Sequence, residues 1–546
     1  MNQWVQNYNP FGNAWLSTAA AALPVVVLFY LLAVRKILAY KAAVYGFLTA
    51  VALAGLLFRM PWSMVTGAVS AGVVYGAIRI AWTLLTAVFV YELTVETGHF
   101  EVIKDSIGGV TADRRLQVLL IAFAFGAVME GAGGGGAPVA IAGAMMVGLG
   151  FKPFAAAVLC LIANTSPVAY GGVGNPIRVL VAVTGLPEPE LSAMVGRILP
   201  WTALILPFWL VRAVTGWRNT LAVWPGLVVC GGVFAGFQFY WSNFQDGALV
   251  DIIGGMATLA ALALFFKVWQ PRKIWRYDFE PAATIHPKKH RPAEVLHAWS
   301  PFLLLSLFVI IWGMPPVARA LAKTSVMLPV PGLHMEVVRV PPVVATRYAE
   351  PAIFEFAWLA SIGTAGLVAG LIAGPILGLS FRRTVAIFLR TCYRMRFSML
   401  AILAMLGLGF VTRYSGMDAV MGLAMTHTGS LFPFFGTMLG WLGVALTGTD
   451  ASSNALFGSL QVITANNLGL SPVLMAAANS AGGVMGKMID AQSIIVACAA
   501  VGQEGKEGDL FRAVLPHSIA LAAIVGVIVY IYAYWGQAWI PLGWTR

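Results

Sequence analysis

The chain has 546 residues, 59% of them hydrophobic and only 10% charged, with a mean hydropathy of +0.82. Soluble domains carry about 25% charged residues, so a soluble globular protein is excluded and the class is a polytopic membrane protein. The formal net charge of +12 is read as cytoplasmic loop charge and not as a nucleic-acid footprint, because the Lys and Arg residues sit in short segments between apolar runs.

Residues 1–13 contain no Lys or Arg, whereas the first apolar run, 14–34, is followed by Arg35, Lys36 and Lys41. This predicts an outside N-terminus and a retained anchor, not a cleaved signal. Further spans are predicted at 39–58, 62–97 (one long or two tight), 116–130, 194–214, 221–240, 248–268, 300–314, 353–379, 396–411, 431–447 and 514–535. The expectation is an all-α fold with roughly 12–14 membrane elements, several of them incomplete. The loop 241–251 carries Asp246 and Asp251 without a basic residue and reads as outside. The next loop holds Lys267, Arg272, Lys273, Arg276, Lys288, Lys289 and Arg291 and reads as cytoplasmic. Arg382, Arg383, Arg390, Arg394 and Arg396 make a second basic cluster. Topology explains both clusters, with attraction to membrane lipid as the alternative.

Cys160, Cys230, Cys392 and Cys498 are far apart in apolar surroundings and form no CxxC, so neither a disulfide framework nor a zinc site is supported. His427 and His517 form no i,i+4 pair, and a structural histidine is the default for each.

Two regions break the pattern. Residues 130–187 and 447–501 alternate short apolar runs with Gly, Pro, Asn and Ser. Irregular backbone at membrane depth is tolerated only where protein or a water-filled cavity surrounds it. Both regions run in the same order: an apolar span ending in an acid (Glu130, Asp450), small residues, Gly-x-x-Pro (Gly150–Pro153, Gly469–Pro472), Asn-Thr/Ser (Asn164-Thr165, Asn479-Ser480), then Gly-rich sequence. Such correspondence predicts an inverted internal repeat with the substrate site at its breaks. The halves are then 1–215 and 298–546, joined by spans and a basic loop over 216–297.

The stretch EGAGGGGAPVAIAGAMMVGLG, 130–150, matches Gly-x-Gly-x-x-Gly. A dinucleotide fingerprint needs an acid about 20 residues on, yet Gly131 to Pro187 holds no Asp or Glu. The match is an accident of a glycine run. The better reading is a helix break at Gly133, Gly134, Gly135 and Gly136, with Pro138 opening a new helix whose N-terminus can hold an anion. Close helix packing is the competing explanation.

Asn164, Thr165, Ser166, Ser452, Ser453, Asn454, Asn479 and Ser480 are candidates to bind a carboxylate and a hydroxyl, with helix capping as the alternative for each. Glu130, Asp450 and Asp490 are candidates to carry a coupling proton, since an intramembrane acid is costly unless it has a function. Arg178 and Lys487 could attract an anion or simply pair with an acid.

At these residues the sequence resembles the bacterial L-lactate permease family. The resemblance is carried by EGAGGGGAPVAIAGAMMVGLGFKPFAAAVLCLIANTSPVAYGGVGNPI, LGWLGVALTGTDASSNALFGSLQ and NSAGGVMGKMIDAQSIIVACAAVGQEGKEGDLFR. Weaker similarity extends over nearly the whole chain. The resemblance implies uptake of L-lactate, D-lactate or glycolate by proton symport across the bacterial inner membrane, and paired re-entrant hairpins with Asn-Thr tips. Three positions depart from the family's pattern. Gly-Phe-Gly-Ala-Pro is replaced by Gly134-Gly135-Gly136-Ala137-Pro138. Arg178 follows Gly174-Asn175-Pro176-Ile177. Ser-Pro-Gln becomes Asp490-Ala491-Gln492. Arg178 and Asp490 could pair with each other or change the accepted anion.

The expected function is therefore a secondary transporter of a small monocarboxylate with a proton, needing no cofactor or metal and no nucleic-acid partner. The alternatives are sodium coupling, another organic anion, a passive anion channel, or a membrane-embedded enzyme with a haem, metal or quinone site.

Overall fold

The computed structural model describes residues 3–35, 37–133, 137–277, 288, 290–344 and 346–541. Among the described residues, eight helices are long and apolar enough to cross a membrane: Trp62–Glu96, Arg114–Gly133, Glu188–Leu221, Gly247–Val268, Pro292–Gly313, Phe381–Ser415, Met417–Thr447 and Glu507–Tyr534. Shorter apolar helices include Ala14–Phe29, Pro138–Gly148 and Ile362–Ile376. The helical, multi-span expectation holds, and 62–97 proves to be one long helix with a π-helical stretch at Gly76–Ala81.

The two irregular regions each contain a bent helix pair. Pro153–Ala163 and Val168–Thr184 meet at 63°, and Pro472–Ile489 and Gln492–Ala500 at 42°. The first bend falls at Asn164-Thr165-Ser166-Pro167, where proline denies the chain a helical N–H. The second falls at Asp490, whose carboxylate caps the next helix by accepting from the Ser493 N–H at 2.8 Å. After the first bend, Gly172, Val173 and Gly174 all have positive φ (54°, 59° and 75°). A β-branched residue rarely adopts that conformation, and the Arg178 guanidinium holds it by donating to the Val173 carbonyl at 2.6 Å.

Several expectations need correction. The predicted span 353–379 begins with a strand, Ile353–Phe356, and becomes helical only at Ile362. The predicted span 396–411 is the end of a 35-residue helix, Phe381–Ser415, so the second basic cluster lies on a helix and not in a loop. Its arginines reach out of the bundle. Arg390 lies 3.1 Å from Glu96, Arg394 pairs with Glu92, and Arg396 stacks on Tyr393 and Phe397 at 3.8 and 4.4 Å from the ring centres. Long Arg stems cover apolar surface while the charge finds a partner, so the helix need not stop.

Small sheets lie at one end of the bundle. Trp4–Val5 pairs in parallel with Val337–Arg339, which pairs antiparallel with Tyr348–Ala349. Val326–Pro329 pairs antiparallel with Ile353–Phe356, Val326 opposite Phe356. This cap is pinned to the bundle by Glu350, which pairs with Arg413 and Arg339, each at 2.7 Å. Arg413 also donates to the carbonyls of Ala182 and Val183 at the end of helix 171–184. Burial pushes the Glu350 carboxyl up, but the two guanidinium groups outweigh it and hold the group below the usual carboxylate range.

Candidate functional site

Glu130 and Asp450 are both buried inside the bundle, and each accepts hydrogen bonds from Asn or Ser of a neighbouring broken segment. Asn164 donates to Glu130 at 2.9 Å. Ser480 donates to Asp450 at 2.5 Å, and Asn454 does so at 3.3 Å. A glycine backbone lies over each acid. A Cβ on Gly171 would stand 2.6 Å from a Glu130 oxygen, and one on Gly483 would collide with an Asp450 oxygen.

The local placement of the two acids differs. Asp450 opens helix Asp450–Asn467, with Thr449 as its cap and Gly448 in the left-handed region just before it. That helix begins at Asp450 and not after Asn454, because the Thr449 hydroxyl already accepts from the Ser452 N–H at 3.1 Å. A carboxylate there is favoured by the helix dipole. Glu130 lies about four turns past the start of helix Arg114–Gly133, far from any N-terminal N–H group it could cap. Helix capping therefore cannot explain Glu130.

The second cluster is the larger. Asn479 donates to Asn454 at 2.9 Å, Gln461 donates to Asn479 at 3.1 Å, and Ser453 donates to the Gly440 carbonyl at 3.0 Å. Asn454 also donates to the Pro176 carbonyl at 3.1 Å, so the second broken region touches the Gly-Asn-Pro-Ile turn of the first. Ser452 is bonded only locally, to Thr449, and Thr165 only to its own helix, at the Ile162 carbonyl. Capping suffices for those two.

Lys487 donates to the Gly448 carbonyl at 2.7 Å and lies 3.2 Å from Asp490. It is also close enough to act electrostatically on Glu130. Arg178 does not pair with Asp490. It lies 3.6 Å from Glu188 and 3.8 Å from Asp246 on the far side of its own turn. A Cβ on Gly133 would lie 4.0 Å from the Val88 side chain, and Gly134, Gly135 and Gly136 lie outside the described residues, so the anion-binding helix start expected there is not described.

Several buried polar atoms have no hydrogen-bond partner: Asn164 Oδ1, Ser166 Oγ, Asn175 Oδ1, Asp450 Oδ1 and Gln461 Oε1. Buried polar groups are ordinarily paired, so these oxygens are exceptions that fall in the broken regions or beside them. By contrast, an apolar groove of about 350 Å³, lined by Met425, Phe435, Met438 and Trp441 among others, holds none of these residues.

Sequence reasoning missed Gln461, Asn175 and Asp251. Gln461 follows Asn454 by two helical turns on the same face of helix Asp450–Asn467, a spacing that periodicity could have revealed. Asp251 was read as a loop charge, but it lies in the first turn of Val250–Val268 and is fully buried. The histidines behave as expected: His517 accepts from the Trp209 indole at 3.0 Å, and His427 stacks on Trp15. All four cysteines are free.

The comparisons with known proteins bear on the whole chain. The family model described as L-lactate permease matches residues 17–536. The chain belongs to the L-lactate permease family. It is 45% identical over 544 residues to an L-lactate permease of Salmonella typhimurium, covering 98% of this chain and 99% of the relative. It is 42% identical over 552 residues to the glycolate permease GlcA of Escherichia coli, with the same coverage. Among solved structures, the Alcanivorax borkumensis YdaH transporter aligns with a TM-score of 0.42 at 15% identity, over 84% of this chain and 86% of that one. As a member of the L-lactate permease family the chain is a multi-pass membrane permease, a class distinct from enzymes.

Proposed function

We propose that the chain takes up L-lactate or a related 2-hydroxymonocarboxylate, such as D-lactate or glycolate, by proton symport across the bacterial inner membrane. The observation that carries this reading is end-to-end similarity to permeases named for both L-lactate and glycolate. A protein of this family that accepts either must grip the 2-hydroxy acid core they share and tolerate a methyl group.

The Asp450 cluster has the chemistry for that core. The side-chain amides of Asn454 and Asn479 and the hydroxyls of Ser453 and Ser480 supply donors for a carboxylate. The unpartnered oxygens of Asp450 and Gln461 can accept from the substrate hydroxyl. Asn164 and Ser166 face the same task from the first broken region. Glu130 or Asp450 carries the coupling proton: neutralising Asp450 frees Ser480 and Asn454 for the substrate, which couples proton and anion through shared donors. Lys487 compensates Asp490 and adds positive potential on the side of Glu130. Because every one of these residues is buried, entry requires the two broken regions to shift against the rest of the bundle, as alternating access demands.

Uptake into proteoliposomes tests the reading, with L-lactate, D-lactate, glycolate, pyruvate and dicarboxylates as competitors, with and without a pH gradient. Competition by the 2-hydroxymonocarboxylates and accumulation under an inside-alkaline gradient are expected. Accumulation that follows sodium and ignores pH would overturn the proton coupling, and flux that never concentrates substrate would favour a channel.

A further inference from the structure

Asp251 has no role in the site as described, yet its surroundings are as unusual as those of any residue in the protein. It is completely buried, and neither carboxylate oxygen has a hydrogen-bond partner. It belongs to helix 250–268, which packs against the end of helix 114–133 at Gly131, the residue after Glu130. The approach is so close that a Cβ on Gly131 would lie 2.9 Å from the Asp251 Cβ. Glu130 is the residue before Gly131, so the two buried acids stand on helices in contact, one residue from the point of closest approach.

The polar groups around this pair are short of donors. Asn164 spends its amide on Glu130, and its carbonyl oxygen is unpartnered. Gln238, also fully buried, donates to the Ser166 carbonyl at 3.2 Å and leaves its own side-chain oxygen unpartnered. An unpaired buried carboxylate is expensive, and adding a proton both removes the charge and supplies the missing donor.

We propose that Asp251, with Glu130, forms the site that takes up and releases the coupling proton, separate from the Asp450 cluster that holds the substrate. This rests on the proton-symport reading. The groups facing Asp251 are few. Helix 114–133 brings Glu130, and the turn before helix 171–184 brings Tyr170. Helix 171–184 brings Arg178, which is engaged by Glu188 and Asp246. Helix 224–244 contains no Asp, Glu, Lys, Arg or His. Lys487 and Asp490 reach the pair through Glu130. Asp246, its side chain 35% exposed, stands five residues ahead of Asp251 and accepts from the Ala248 N–H. In this arrangement Lys487, between Glu130 and Asp490, links the protonation of the pair to the second broken region.

The test compares native protein, D251N and D251E in proteoliposomes, with L-lactate as the probe and glycolate in parallel. Counterflow of labelled against unlabelled substrate needs no net proton movement, whereas accumulation under an inside-alkaline gradient does. D251N should keep counterflow within about twofold of native and lose at least about tenfold in accumulation, together with substrate-driven acidification of the lumen. D251E should keep all three. Native-like accumulation by D251N would overturn the proposal. So would loss of counterflow in proportion to accumulation, which is what a structural or substrate-contact role predicts. If the native protein itself fails to accumulate either substrate under a pH gradient, the symport reading falls first and this proposal with it.

Discussion

At the residue scale, the proposed site holds polar side chains that satisfy one another only in part. Asp450 has one oxygen bonded to Ser480 and Asn454 and the other bonded to nothing. Truncating Ser480 to Ala removes a charge-assisted donor, so it should weaken substrate affinity by roughly tenfold, corresponding to 1–3 kcal/mol for a buried hydrogen bond. Concentration-dependent uptake will show this as a raised KM, and an unchanged KM would remove Ser480 from the site. Gly483 is constrained differently: its backbone touches the Asp450 carboxylate, and no Cβ fits. Gly483→Ala should cost about 1–3 kcal/mol through overpacking, seen as a lower thermal midpoint in detergent, and Gly171→Ala should do the same over Glu130. Most of these residues were legible as polar interruptions of apolar runs. Which of them would bond only locally was not: Thr165 and Ser452 look like Asn479 and Ser480 in sequence, and only the fold separates them.

At the element scale, the breaks could be anticipated because proline and asparagine oppose helix continuation wherever they stand. The long helix 381–415 could not, because five arginines look like a loop until Glu92, Glu96, Tyr393 and Phe397 are brought beside them. The cap over residues 314–361 went unrecognised for a similar reason. Its strands are two to four residues long and are defined by partners far away in sequence. Glu350 is the hinge of that arrangement. Its folded carboxyl is held below the usual range, so its stabilising effect is present above the unfolded pKa and is lost as pH falls through the folded one. Glu350→Gln should lower stability by about 3 kcal/mol at neutral pH. The gap to native should close as the pH drops below the ordinary carboxylate range. Thermal unfolding followed by tryptophan fluorescence across pH measures this, and a gap that stays constant would count against the ion-pair explanation.

At the scale of the whole molecule, the basic segments and the small sheets lie at opposite ends. The N-terminal strand joins the cap, and the Gln6 amide donates to the carbonyls of Arg413 and Tyr414 at the same end. Arg115 instead donates to the carbonyls of Asn219 and Lys273 among the basic segments. We propose, from the positive-inside rule, that the N-terminus and cap face outside. In a background with Cys392 replaced by Ser, a cysteine at Asn7 should react with an impermeant maleimide in intact cells. One at Lys288 should react only after permeabilisation, and the reverse pattern would invert the topology.

Composition alone settled that this chain lives in a bilayer, because burying a 59% hydrophobic sequence leaves no surface for water. Local chemistry settled where helices break and which end carries positive charge, since both depend on neighbours along the chain. Tertiary structure decided which charges meet: that Lys487 and not Arg178 answers Asp490, that Asn454 reaches across to Pro176, and that Asp251 leaves its apparent loop to lie against Glu130. The last two contacts depend on helix packing between residues more than a hundred positions apart, and no local pattern in the sequence encodes that distance.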